Sequence, residues 1–349
     1  MDRPWSITTG DREGRVHRYE SMTQADVLAL DRDKTVVIAT FSPLEVHGHH
    51  LPLGQDVFEA DAMAMAAARE LVAKRPDWSV LLLPPYAVAA DCVPLPGSVA
   101  FTPKQLAKTA YEALAPFARM KFACLAYSSF HGGPRHMVAL EVAADRLTRK
   151  LRTPAISLFS VMLARFGQNE MLDRAVANVE DRRITPDELH RDFHGGYIET
   201  SLALHLYPEL VHESWKTLGP IVPDRSGKEG QGEGFMGAGE NLSLAEKLLS
   251  TGDVIRSMLG ELRHFKQHGL YGYPGYADPE HGRRIFEFLS RETSAIVDEF
   301  IDKGAAFKAR SPMWPLRHIM MSGVTSRIVD GWLMRPNEKY FERPGGRDS

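Results

Sequence analysis

At 349 residues and 39.0 kDa, the chain is long enough to bury a sizeable core, as one large α/β domain or a domain with additions. Hydrophobic residues at 44% and charged residues at 25% exclude the disordered and membrane-embedded classes. A formal net charge of -3 and a pI near 6.5 give no reason to expect nucleic acid or an anionic membrane as partner. The first stretch, MDRPWSITTGDREGR, is polar and lacks the apolar core of a signal peptide. The two cysteines, Cys92 and Cys124, make neither a disulfide framework nor a metal-type spacing, so a reducing cytoplasm is expected.

Residues 1–20 read as a loose polar arm, and Met22–Leu30 as a short helix with Thr23 as its N-cap. Thr35–Asp56, TVVIATFSPLEVHGHHLPLGQD, opens as a buried strand, because Val36, Val37, Ile38 and Ala39 form a short apolar run rich in β-branching. Pro43 ends it, since proline donates nothing to a sheet ladder. Directly after come Glu45, His47, His49, His50 and Asp56. Glu45 and His47 lie two apart and project to one side in extended backbone. Gly48, Pro52 and Gly54 let the chain turn back and carry Asp56 towards them. A lone loop histidine is ordinarily just solvated; five nitrogen and oxygen donors packed behind a buried strand point to a divalent metal.

Val57–Lys74 is rich in Ala and Met and predicts a helix. Trp78–Leu83 predicts a second strand, stopped by Pro84 and Pro85. Tyr86–Thr102 has no periodicity and is a long loop; it carries Asp91 and Cys92, to which the sequence assigns no role. Thr102 caps a helix that opens on Pro103 and runs to about Met120. Phe122–Tyr127 is a third strand, and it runs straight into SSFHGGPRH. A helix over Met137–Leu151 and a strand over Ala155–Phe159 follow. This alternation predicts a mostly parallel sheet with helices on both faces, whose sites lie beyond the carboxyl ends of its strands. The Glu45–Asp56 cluster and His131 both sit at such ends.

Gln168–His190 is charged and weakly patterned, a linker or an exposed helix. In DFHGGYIETSLALHL (192–206), His194 falls near a helix start and Glu199 inside the helix. Pro223–Glu240 reads as a Gly-rich loop and Ser243–His268 as two helices broken at Thr251 and Gly252. Tyr271–Asp278 is an aromatic, turn-rich loop, and Pro279–Lys303 a long helix. From Gly304 onward the tail, with Trp314 and Trp332, suits an arm that packs on the body or on a neighbouring subunit. Gly232–Gly237 formally fits G-x-G-x-x-G, but it follows no strand, so a loop is the better reading than a dinucleotide site. Neither a G-x-S-x-G elbow nor a Walker A sequence occurs.

LEVHGHHLPLGQD resembles the EQHGPHLPLGTD signature of the creatininase (creatinine amidohydrolase) family. Further pieces follow in the family's order: PLPGSVAFTP, SFHGGPR, FHGGYIETS and YPGYADPEHGRRIF. The resemblance covers roughly residues 20–303 and implies a three-layer α/β/α fold, two divalent ions (zinc, manganese or iron) and a homo-oligomer, commonly a hexamer. It divides the chain into an arm (1–20), a hydrolase domain (21–303) enlarged over 211–270, and a C-terminal extension (304–349). Position by position, it implies Asp56 as a carboxylate bridging two ions, Glu45 and His131 on one and His47 on the other. Creatininase proper completes the second site with a glutamate two residues past the matching histidine, where this chain has Gly133; Glu199 takes that role instead. His194 matches the histidine that handles protons.

Imidazole and carboxylate ligands without thiolate suit zinc, manganese or iron(II). Two ions sharing a carboxylate activate water near neutral pH and polarise a carbonyl, and His194 supplies the leaving atom's proton. The expected activity is opening of a cyclic amide or another C–N bond in a small polar substrate. A lactone or a keto-sugar or keto-inositol ring cleaved at C–C is the alternative, and a non-catalytic metal-binding protein a second. Val46, His49, Ser129, Phe130 and Pro134 depart from the family pattern and leave the substrate open. His50 reads as support for a ligand, and His49 and His136 as pocket-lining or solvated.

Overall fold

In the computed structural model, which describes residues 14–222 and 263–335, the apolar run behind the donor cluster is the middle strand of a five-stranded parallel sheet. The strands are β1 (Val16–Arg18), β2 (Thr35–Thr40), β3 (Ser79–Leu82), β4 (Cys124–Ser128) and β5 (Ala155–Ser157), in the order β1-β3-β2-β4-β5. All residues of β2 are buried, as a parallel strand covered on both faces requires. Val36 and Ile38 enter one apolar core, while Val37 and Ala39 enter the other.

Helices α1 (Gln24–Ala29), α2 (Gln55–Lys74), α3 (Pro103–Arg119), α4 (Pro134–Leu151), α5 (Leu158–Ala175), α6 (Pro186–Leu189), α7 (Tyr197–Leu206) and α8 (Pro279–Lys303) complete the described body. Helices α3 and α4 cover the face reached by Val37; α2, α5, α7 and α8 cover the face reached by Val36. The result is the expected three-layer α/β/α arrangement. From β2 the chain goes through α2 to β3 on one side, then returns past β2 to β4 on the other. The helices following β2 and β4 therefore lie on opposite faces, the arrangement in which α/β sheets place their sites beyond the strand ends.

Several predicted boundaries move. Val16–Arg18 is not part of a loose arm but an edge strand on β3; at three half-buried residues it leaves no periodic trace in the sequence. Its Arg18 is tied to Asp61 on α2, with Nη1 2.8 Å from Oδ1. Helix α2 starts at Gln55 rather than Val57 and α4 at Pro134 rather than Met137, so Asp56 stands in a first helical turn. The strand read as Ala155–Phe159 stops at Ser157; of the charged Gln168–His190 stretch, the part up to Ala175 is the second half of α5 and Pro186–Leu189 is the short α6. Gly167 (φ 65°, ψ 178°) breaks that helix and resets its phase, which hides the buried Met171, Leu172 and Ala175 from a single periodicity. Residues 263–268 are helical; the Gly232–Gly237 stretch and most of the 211–270 enlargement lie outside the described residues. Among the described residues no helix is long and apolar enough to cross a membrane.

Candidate metal centre

The sequence donors converge where β2 and β4 end. After Thr40 the chain reaches Glu45 and His47; after Ser128 it reaches His131, just ahead of α4. The first turn of α2 brings back Asp56, and the first turn of α7 brings Glu199. Glu45 is held by main chain on two sides: its N–H donates to the Leu53 carbonyl at 2.8 Å, and its Oε1 accepts from the Val93 N–H.

Asp56 stands between the two histidines. Its Oδ1 lies 3.4 Å from His47 Nε2 and its Oδ2 3.9 Å from His131 Nδ1. On the far sides, Glu199 Oε2 is 3.5 Å from His47 Nε2, and Glu45 Oε2 is 3.2 Å from His131 Nδ1. Each ring is aimed from behind by a carbonyl: His47 Nδ1–H donates to Glu45 O at 3.1 Å, and His131 Nε2–H to Ala90 O at 3.0 Å. A carbonyl only accepts, so the neutral ring keeps its proton on the rear nitrogen and offers the inward nitrogen's lone pair to a cation. Glu45 Oε2, His47 Nε2 and Asp56 Oδ2 are buried without a hydrogen-bond partner. One such orphan costs about 1–3 kcal/mol, and three aimed at the same small space fit a divalent cation.

A sequence model of the creatininase family, described as creatinine amidohydrolase, matches residues 20–297. The chain belongs to the creatininase family. The solved structures similar to this creatininase-family chain include a putative creatinine amidohydrolase from Bacteroides fragilis, 18% identical, covering 82% of this chain and 97% of that one with a TM-score of 0.57. A manganese form of creatininase is also 18% identical, covering 81% and 98% with a TM-score of 0.53. A zinc–zinc form of a mutant creatininase is 17% identical over 81% and 98%, with a TM-score of 0.52. No curated protein matches by sequence.

The electrostatics of this creatininase-family site call for positive charge. Burial alone would strip protons from its histidines, yet Asp56 and Glu199 push His47 up to about 10. Glu45 and Asp56 likewise outweigh burial and push His131 up to about 9. Without a cation the carboxylates hold protons on both rings; an entering ion displaces them. Metal uptake at neutral pH is therefore expected to release protons, and affinity to rise from about pH 6 to pH 8. A pH-stat titration with zinc reads this directly; uptake without proton release would contradict it.

Gly133 leaves no room for a side chain: a Cβ there would lie 2.6 Å from His131 Nε2 and 2.9 Å from Asp91 Cβ. The second carboxylate beside His47 is Glu199, on α7. Glu199 Oε2 accepts from the Gly195 N–H at 2.5 Å, and burial, followed by Asp56, pushes its carboxyl up to about 7. His194 stacks on His47 with centroids 4.0 Å apart, and its Nε2–H donates to Val46 O at 2.8 Å.

His50 Nε2–H donates to Thr200 Oγ1 at 2.9 Å, and that hydroxyl donates to Gly195 O at 3.1 Å, which braces the loop carrying His194. His49 is exposed. His136 is buried behind the site, bonded to Ser129 Oγ at 3.0 Å and edge-on to His131. Tyr271 packs against Phe193 and Phe265 rather than lining open space.

Three residues at the site carried no sequence signal. Glu59, one turn beyond Asp56, is buried, its carboxyl pushed well up by burial and then Glu199, and it takes a hydrogen bond from Gln55 Nε2 at 2.6 Å. Asp192 caps the start of α7, and Cys92 lies beside Glu45 and His131. Only the i, i+3 spacing of Asp56 and Glu59 on one helix face was there to be read.

Proposed function

We propose that the chain is a metal-dependent hydrolase that opens a cyclic amide, or cleaves another C–N bond, in a small polar molecule. The observation that carries this reading is Asp56, each of whose oxygens faces a different histidine while Glu45 and Glu199 close the far sides. Glu45, Asp56 and His131 would hold one divalent ion, and His47, Asp56 and Glu199 a second. Such ions, when bound, supply a Lewis acid for the carbonyl and lower the pKa of water.

The proton traffic falls to His194. With Nε2–H committed to Val46 O, its Nδ1 is left as an acceptor. Burial, then the charge of His47, pushes the ring down to about 3, so it enters the cycle neutral. Its first act is to take a proton from the attacking water; it then returns that proton to the leaving nitrogen. His194→Ala is expected to retain metal while turnover falls about 10²–10⁴-fold. Unchanged turnover would move the role elsewhere. The reaction class is tested by metal-reconstituted protein against cyclic amides, lactones and oxidised inositols. Turnover of the lactones or inositols alone would overturn the C–N assignment.

The occupant of the C-terminal extension is, in our reading, another copy of the chain. Leu316, Ile319, Val324, Ile328 and Trp332 stand exposed there. Light scattering is expected to give a mass several times 39.0 kDa, and a monomer would refute the reading. Cys92 and Cys124 are free and buried, which suits a cytoplasmic location. Fractionation of cells producing the chain is expected to find it in the cytosol.

A further inference from the structure

We propose that Cys92 is a metal ligand: its sulfur joins Glu45 and His131 around one ion and makes that position selective for zinc-like cations over manganese. The inference deepens the hydrolase reading and rests on it. Cys92 Sγ, a Glu45 carboxylate oxygen and a His131 ring nitrogen lie within 4.8 Å of one another, and all three residues are buried. Glu45 Oε2, in a side chain only 1% exposed, has no hydrogen-bond partner and lies 3.2 Å from His131 Nδ1.

One short loop builds all three positions. The Ala90 carbonyl holds His131 from behind and the Val93 N–H holds Glu45, so the segment bracing the two ligands also carries Cys92 between them. Asp91 within it sits at φ 65°, a left-handed conformation uncommon outside glycine. Arg135 pins it there: its N–H and Nε each donate to the Asp91 carboxylate at 2.6 Å, and its Nη2 reaches Asp330 at 2.6 Å. The loop geometry is thus imposed from α4 and from the C-terminal extension, and the thiol is delivered rather than drifting. Its own partner is weak, an S–H donation to Val99 O at 3.5 Å. On coordination the sulfur–metal bond replaces the S–H bond, whose proton leaves to solvent. A soft thiolate added to imidazole and carboxylate favours zinc, cobalt or iron(II) over the hard manganese ion.

The test uses cobalt(II) as the probe in the full chain, with metal content measured alongside the spectrum. Wild-type protein and Cys124→Ser are expected to show the near-ultraviolet charge-transfer band of a cobalt–thiolate bond, and Cys92→Ser to lack it. Cys124 lies in β4 within the apolar core and serves as the control. In competition titrations Cys92→Ser should lose about tenfold or more in zinc affinity while manganese affinity changes little. Bound cobalt without the thiolate band in the wild type overturns the proposal and leaves the hydrolase reading standing. Failure to bind cobalt at all overturns both. The wild-type spectrum decides the matter even if the serine variant does not fold.

Discussion

Asp56→Ala is expected to strip the centre of metal and lower turnover by at least about 10³-fold. Each of its oxygens faces a different histidine, so one deletion removes a donor from both halves. Losing Glu199 or Glu45 removes a donor from one half only. Asp56→Asn separates charge from shape: it fills the same volume at the head of α2 but presents one neutral acceptor and an N–H₂. Elemental analysis of the purified variants should find metal missing in Asp56→Ala and strongly reduced in Asp56→Asn. Full metal content in either would mean that the pair of histidines does not share this carboxylate. Folding should survive, because the side chain spends its oxygens on the centre. Asp56 Oδ2 has no hydrogen-bond partner to lose.

The donors were legible in the sequence because the chain writes most of them next to the strands that carry them. Glu45, His47 and Asp56 follow β2 within a single turn of loop, and His131 follows β4. A parallel sheet sends consecutive strand ends to one edge, so local spacing foretold a meeting that is long-range in the chain. Glu199 and His194 needed the family likeness, since nothing in an amphipathic helix start identifies its acidic residue as an inward one. Gly133 shows the converse. Its meaning is steric and appears only when His131 and Asp91 are found 2.6 and 2.9 Å from where its Cβ would be. Cys92 and Glu59 stayed silent for a related reason. A buried cysteine or glutamate in a loop or helix looks the same in sequence whether it faces apolar packing or a cluster of carboxylates. Among the described residues, tertiary contacts override local pattern at the three-residue edge strand β1 and across the Gly167 break in α5, and there the fold was hidden.

Gly196→Ala is the corresponding prediction for stability, on the order of 3–5 kcal/mol destabilising, and it tests how α7 is anchored. A Cβ at this position would lie 1.9 Å from Asp192 Oδ1 and 2.6 Å from its Cγ, a contact no small shift relieves, because three main-chain N–H groups hold that carboxylate in place. That carboxylate is the knot of the region: it accepts from Tyr197 N–H at 2.7 Å, Ile198 N–H at 2.9 Å and Tyr273 N–H at 2.9 Å. The first two donors are otherwise unpaired groups at the α7 start, where the helix dipole also favours an anion. Expelling Asp192 to admit a methyl group would leave these N–H groups buried and unsatisfied, and each hydrogen bond to a charged group contributes roughly 1.5–3 kcal/mol. The consequence reaches the centre, since Glu199 rides on the first turn of α7 and His194 on the loop just before it. Thermal unfolding should move down by several degrees or more, and metal affinity should fall with it although no ligand has been changed. Asp192→Ala combined with Gly196→Ala should then cost less than the sum of the two, because removing the carboxylate makes room for the methyl. Strict additivity would show that the glycine is kept for some reason other than the anion it shelters.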